Sequence, residues 1–407
     1  MHQVFESIKI ALASLIANKL RAILTLLGMV IGVMTVIAVV SVINGMNKSV
    51  SEAIGQLGST TFIIDKYGLV TSEEQWFKVR KRKDLTKRDM AAIDENCEYC
   101  QHVGASSFDR SMTIKRGSDK IGGTIVKGVT YNYIEIATTD IERGRSFTES
   151  DELHRRSVCV VGPDVAENLF PYTDPIGQKL KIGKYYFTII GVGKPQGSIL
   201  GVNQDNWAIT PLSTYSKYFS RGGSIQIFVK AVEYTKMDEA MDEARAILRA
   251  RRHVKYSEPD DFEFFTSESM MEIYNSFTQG AWLVLIGVSS ISLVVGGIVI
   301  MNIMLVSVTE RTREVGIRKA LGARRKDILW QFLIEALTLS IIGGLIGIGF
   351  GSAIAKIIAT STPLPSSVET WSIVTGVLIS SVIGIFFGIY PAMKAARMDP
   401  IDALRYE

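Results

Sequence analysis

The chain has 407 residues, of which 47% are hydrophobic and 21% charged, and its formal net charge is +4. That length allows two domains or more, and so modest a positive charge, with no aromatic-basic motif, gives no reason to expect nucleic acid as a partner. The average composition hides two unlike kinds of sequence: four long uncharged or nearly uncharged runs, and ordinary globular sequence between the first run and the second.

Residues 1–20 place Phe5, Ile8, Leu12, Leu15 and Ile16 at helical spacing, with Lys9 and Lys19 on other faces. The pattern predicts an interfacial helix lying on the inner leaflet. Residues 23–43, ILTLLGMVIGVMTVIAVVSVI, carry no charge. A helix needs roughly 20 apolar residues to cross the hydrocarbon core, so a first transmembrane helix is expected over 21–45. The run is too long for a signal-peptide core and lacks a small-residue cleavage site, so it reads as retained. Gly28 and Gly32 lie four apart in it. That spacing lets helices approach closely, although glycine is also simply common in membrane helices.

Residues 46–278 read as one large domain. Strands are expected at 61–67, 111–115, 124–129, 157–162, 179–183, 185–192 and 225–231 from their β-branched and aromatic content. Helices are expected at 86–95, behind a Thr86 N-cap, and at 235–252. The result is an α+β domain of two lobes, one near 46–130 and 208–278, the other near 131–207. Cys97 and Cys100 form C-E-Y-C without the second pair that a zinc site would want. They read as structural, either free or locally bridged, and Cys159 reads as a buried apolar residue.

Three further spans follow, over 279–308, 328–358 and 370–393. Between the first two of these lies a charged block, 309–327, and between the last two an outer loop, 359–369. A tail, 394–407, ends the chain. The block Glu310–Asp327, ERTREVGIRKALGARRKD, holds seven basic and three acidic residues. Short loops rich in Lys and Arg stay in the cytoplasm. The block, Lys19 and Arg21 before the first span, and Lys394, Arg397 and Arg405 after the last therefore put both termini inside and residues 46–278 outside. The fold class expected is a membrane protein of four transmembrane helices with a large two-lobed α+β extracytoplasmic domain between helices 1 and 2. Glu335 is the one ionisable residue well inside a span, and a carboxylate pairing with a basic residue or bonding to a neighbouring helix is favoured over a proton or substrate role. No phosphate-cradling loop, H-E-x-x-H motif or G-x-S-x-G elbow marks an active site.

Seven stretches carry a family resemblance: ANKLRAILTLLGMVIGV (17–33), VKGVTYNYIEI with ERGRSFTESD (126–136, 142–151), VVGPDVAENLF with DPIGQKLKIG (160–170, 174–183), NIMLVSVTERTREVGIRKALGARRKDILWQFLIEA (302–336) and YPAMKAARMDPIDALRYE (390–407). Over essentially its whole length the chain resembles the permeases of MacB-type (macrolide exporter) ABC transporters. The resemblance implies a dimer of two such chains in the lipid bilayer, with two copies of an ABC ATPase beneath it. It implies that Glu310–Ala323 carries a coupling helix docking on that ATPase, with Glu310, Arg311, Arg313, Glu314, Gly316, Arg318, Lys319 and Gly322 as contacts. Val315, Ile317, Ala320 and Leu321, interleaved with the charge, suit a groove-filling contact better than a plain loop. The namesake exporter carries its ATPase ahead of the first span. This chain starts almost at the membrane and has no Walker motif, so a separate ATPase subunit, holding the ATP and Mg, is expected. The work implied is export by mechanotransmission, with a periplasmic adaptor and an outer-membrane duct as further partners. Similarity of topology to the FtsX signal transducer and to lipoprotein-release permeases leaves those as alternatives.

Overall fold

The computed structural model describes residues 19–405, apart from 56–57, 69, 71, 108–109, 138–139, 200–201, 220–222 and 363. The interfacial helix expected over 1–20 lies almost wholly outside the described residues. The chain forms two compact units: residues 50–275, and residues up to 49 together with those from 276 onward.

In chain order, α1 is Lys19–Gly55, β1 Thr61–Asp65, α2 Glu73–Arg80, α3 Lys87–Asn96, β2 Cys100–Ser107, β3 Arg110–Arg116, β4 Asp119–Val129 and α4 Tyr133–Ile136. There follow β5 Ile141–Gly144, α5 Glu149–Leu153, β6 Val158–Val161, α6 Pro163–Leu169, β7 Lys179–Ile182, β8 Tyr185–Gly193, β9 Ser198–Ile199, β10 Val202–Asn203, β11 Trp207–Pro211 and α7 Leu212–Tyr218. Then come β12 Ile225–Ala231, α8 Met237–Arg252, β13 Glu263–Thr266, α9 Ser267–Glu310, α10 Thr312–Ala320, α11 Arg325–Ser361, α12 Thr370–Arg397 and α13 Pro400–Arg405.

The domain of residues 50–275 is built on a split β-α-β frame. Its sheet runs β2-β12-β1-β13, every neighbour antiparallel. Helix α3 follows β1 and α8 follows β12, and both pack on one face around Phe62, Ile64, Ile93, Ile227, Leu248 and Phe262. Thr86 begins α3 with a capping box: its backbone N–H donates to the Asp89 carboxylate (2.9 Å), and its hydroxyl accepts from the Asp89 N–H. At the other end of α3, Cys97 and Cys100 form a disulfide, with Cα atoms 5.4 Å apart.

Between β2 and β12 the chain inserts a second lobe. Strands β4, β11, β6, β8, β7 and β3 pair in a ring, β4–β11 and β6–β8 parallel and the rest antiparallel. Closure removes the edges that open sheets must protect. The interior is filled by Ile114, Val126, Cys159, Leu180, Phe187 and Ile189. The lobe thus takes in residues 110–129 and 207–218 as well as the expected 131–207. The correction has a simple cause. The parallel register Trp207↔Ile125 to Pro211↔Val129 draws β4 away from the first lobe, leaving only Ser106↔Val129 between β2 and β4. Burial pushes the Cys159 thiol well above its ordinary range, as expected of an inert core residue.

Among the described residues four helices are long and apolar enough to cross a membrane, and the greater part of each lies in the second unit: Leu26–Gly55, Ser267–Glu310, Arg325–Ser361 and Thr370–Arg397. They pack through small residues. A Cβ added to Gly28 would lie 3.1 Å from Gly296 Cα, and one added to Gly32 would lie 2.9 Å from the Leu293 side chain. Gly347 and Gly351 of α11 face α1 in the same way, at 2.9 Å from Val30 O and from Met34 O. The connection between α11 and α12 folds back on α1, where the Ser367 N–H donates to Ser41 O (2.9 Å).

Candidate functional site

The charged block folds as a short helix with defined ends. Helix α9 stops at Glu310, and Arg311 leaves helical geometry (φ −102°, ψ 18°), yet its N–H still donates to Ser307 O (3.1 Å) and its carbonyl accepts from Val315 N–H (3.0 Å). The chain therefore turns a tight corner with no free loop. Thr312 secures the corner, its hydroxyl donating to Thr309 O (2.8 Å) and Val308 O (3.1 Å). At the far end Gly322 adopts φ +99°. The Gly322 N–H donates to Lys319 O and the Ala323 N–H to Arg318 O, both at 3.0 Å. This is a Schellman stop, which explains the glycine. Two residues after Gly322, the Arg324 N–H donates to the Asp327 carboxylate (3.0 Å), which starts α11.

One face of α10 is pinned to the membrane helices. Val315 and Gly316 are buried there. Arg311 donates to both carboxylate oxygens of Glu335 on α11, at 3.2 and 3.3 Å. Glu335 itself is only 3% exposed. Arg318 donates to Gln331 Oε1 of α11 (2.7 Å) and to Glu314. Lys319 donates to the carbonyls of Ala396 (2.7 Å) and Met398 (2.5 Å), at the C-terminus of α12. A cation there also meets the negative end of the helix dipole. Burial, with the neighbouring Arg325 charge, holds the Lys319 ammonium below its ordinary lysine value.

The other face is open. Glu310, Arg313, Glu314, Ile317, Ala320, Leu321 and Gly322 are exposed. Arg313, Ile317 and Leu321 follow one another at i, i+4 along one stripe. Ile317 is 44% exposed and Leu321 83%. Two large apolar side chains set among charges, on a helix whose other face is fixed, suit a protein contact better than a plain solvated surface.

The sequence-based contact set thus divides. Glu310, Arg313, Glu314 and Gly322 are exposed, while Gly316 is buried and Arg311, Arg318 and Lys319 bond to the helices behind. Glu335 joins this cluster; Gly28 and Gly32 belong to the α1 packing instead. Gln331 and the Ala396 and Met398 carbonyls were not foreseen. Among the described residues no group of His, Cys, Asp and Glu could hold a metal ion.

Two family models match the sequence: the MacB-like periplasmic core domain over residues 22–247 and the FtsX-like permease C-terminal domain over residues 286–400. The chain belongs to the MacB/FtsX permease family. The permease is 35% identical to the protein named "Uncharacterized ABC transporter permease YknZ" of Bacillus subtilis, over 99% of both chains. It is 35% identical to "Macrolide export ATP-binding/permease protein MacB" of Bdellovibrio bacteriovorus, over 100% of its own length and 61% of the relative's. It is similarly related to MacB of Neisseria gonorrhoeae, 35% identical over 99% of its own length and 61% of that relative's. The permease thus spans less than two thirds of those MacB proteins, and almost all of YknZ.

Among solved structures it is similar to the periplasmic region of MacB from Actinobacillus actinomycetemcomitans, with a TM-score of 0.45 and 20% identity over 56% of this chain and 97% of that one. It is also similar to the extracellular domain of YknZ, with a TM-score of 0.41 and 18% identity over 51% of this chain and 100% of that one. The family assignment makes the permease a membrane protein of four apolar helices with a β-rich core domain inserted after the first. The segment with the corner, the pinned face and the open face lies within the FtsX-like match.

Proposed function

We propose that the permease couples ATP hydrolysis on a separate ABC ATPase subunit to motion of its core domain, and so drives export. The observation that carries this reading is the two-faced α10, fixed behind by Glu335, Gln331 and the end of α12 and open in front at Arg313, Ile317 and Leu321. A groove on the ATPase would take the two apolar side chains, and Arg313 and Glu314 would set register by charge-assisted bonds. Support for such a partner comes from relatives whose names join ATP binding to permease function. ATP and Mg would reside on that subunit. In this reading α10 and both termini are cytoplasmic and the core domain extracytoplasmic. The Cys97–Cys100 disulfide supports that side for the domain, because disulfides persist in oxidising compartments. Two permease copies would assemble with two ATPases. The core domain would act on a substrate already outside the membrane, or with a periplasmic adaptor and an outer-membrane duct. The match of residues 22–247 to a MacB-like core domain favours this over the FtsX-like signalling alternative.

The test is co-purification with the ATPase subunit. Reversal of Arg318 is a poor probe, because that side chain already bonds to Glu314 and Gln331. The better variant is Ile317→Asp with Leu321→Asp, which alters only the open face. The ATPase should be lost while the permease still inserts. Retention of the ATPase, with coupled turnover intact, would place the docking contact elsewhere.

A further inference from the structure

We propose that the Arg311–Glu335 pair is the joint through which movement of α10 passes into α11, a role that rests on the coupling reading above. A displacement applied to the open face of α10 has polar exits at Arg311 and Arg318 into α11 and at Lys319 into α12. The Arg311 exit differs from the other two. Both of its ends are ionisable side chains, and the carboxyl end is buried in the helix bundle, its side chain 4% exposed. It also sits at the corner between α9 and α10, where the backbone itself breaks from helical geometry.

Arg311 bonds to both oxygens of Glu335 and does so from the corner residue. Both bonds come from one guanidinium nitrogen, Nη1, so the pair is a charge-assisted contact shared between the two oxygens that holds the corner at a fixed distance from Glu335. In low dielectric an ion pair resists separation far more than an exposed one does. The corner and the interior of α11 should therefore shift together. The Arg318–Gln331 and Lys319–carbonyl bonds are part-buried as well, but each ends on a neutral acceptor. They steady α10, while the Arg311–Glu335 pair sets its register on α11. Arg311 and Glu335 are thus positioning residues: they would act on the coupling motion without touching the ATPase.

The experiment uses the permease with its ATPase subunit in lipid nanodiscs. It compares the wild type with Glu335→Gln, Arg311→Lys and the exchange Arg311→Glu with Glu335→Arg. The readouts are ATPase stoichiometry after purification, and amide hydrogen exchange over residues 312–322 and 325–335 with and without ATP and vanadate. In the wild type, nucleotide should change exchange in both segments. In Glu335→Gln, which keeps the side-chain shape, the ATPase should remain bound and the change in 312–322 should persist. The change in 325–335 should be lost. Arg311→Lys, which keeps the charge but shortens the reach to Glu335, should lose part of it, and the exchanged pair should recover it. A pair that served only stability would lower the melting temperature of Glu335→Gln and leave the nucleotide response of 325–335 at wild-type size, which overturns the proposal. Failure of the wild type to bind the ATPase at all overturns the coupling reading and this proposal with it, and the stoichiometry alone reports that outcome.

Discussion

The two units of the molecule are held together by different chemistry. The domain of residues 50–275 packs large side chains: Phe62, Phe187 and Phe262 are each no more than 1% exposed, and its lobes are filled by Ile, Val and Leu. The helical unit packs small ones. Gly28 meets Gly296, Gly384 meets Ser340, and Gly388 meets Ala336. Water rewards burial of apolar area, so a domain in water gains from bulk in its core. Lipid tails are as apolar as leucine, so helices in a bilayer gain instead from close approach and from the few polar bonds between them. The Arg311–Glu335 pair belongs to the second economy, where one polar link between helices counts for more than an added methyl group.

If that contrast holds, the two units should fail under opposite substitutions. The largest effect is expected for Phe187→Ala in the ring of strands, where the phenyl lies against Tyr218 and Phe219. Removing a buried phenyl should cost about 3–5 kcal/mol, read as a fall in the domain's thermal or denaturant midpoint. In the helical unit the damaging change is an addition. A Cβ on Gly384 would lie 2.0 Å from Ser340 Oγ and 2.7 Å from Ser340 Cβ. Gly384→Leu should force α11 and α12 apart and cost roughly 1–3 kcal/mol, read as a lower melting temperature in detergent with the core-domain transition unchanged. Gly384→Leu melting as the wild type would break the comparison.

The same contrast explains what the sequence disclosed. The spans were legible because a bilayer demands long uncharged runs, and nothing else in the chain resembles them. Strands rich in β-branched residues, such as β8 and β12, were legible for their own composition. Strand β2, CQHVGASS, was not. Its small and polar residues form a strand because of what comes close: a Cβ on Gly104 would sit 2.9 Å from Thr130, Asn132 and Ile136 side-chain atoms. The lobe boundary was misjudged because it depends on the Trp207↔Ile125 pairing, and local pattern carries no such long-range register. In residues 310–327 the helix was legible through the family resemblance, while the stop at Gly322 was not foreseen. The division into two faces was hidden. Glu335 lies 24 residues from Arg311, and the partners of Lys319 are backbone carbonyls, which leave no side-chain signature.

The smallest of these effects sharpens the comparison on the side of the water-facing domain, where a buried charge is also tolerated. Asp151 is fully buried, yet four donors converge on its carboxylate: Arg145 at 2.7 Å, the Thr148 hydroxyl at 2.9 Å, the Thr148 N–H at 3.1 Å and Arg156 at 3.3 Å. Burial alone would raise its pKa, but the hydrogen bonds from Arg145 and Thr148 outweigh it and lower the value to about 2. The unfolded carboxyl titrates near 3.8. A depressed folded value means that the stabilisation, about 2 kcal/mol, is fully present above the unfolded value and is lost as pH falls from about 4 toward 2. Asp151→Asn removes the titrating group and should therefore melt below the wild type at neutral pH, with the gap closing over that acid range. A gap that stays constant down to pH 2 would mean that Asp151 acts only through the capping box with Thr148 at the start of α5, and that its two arginines add nothing electrostatic.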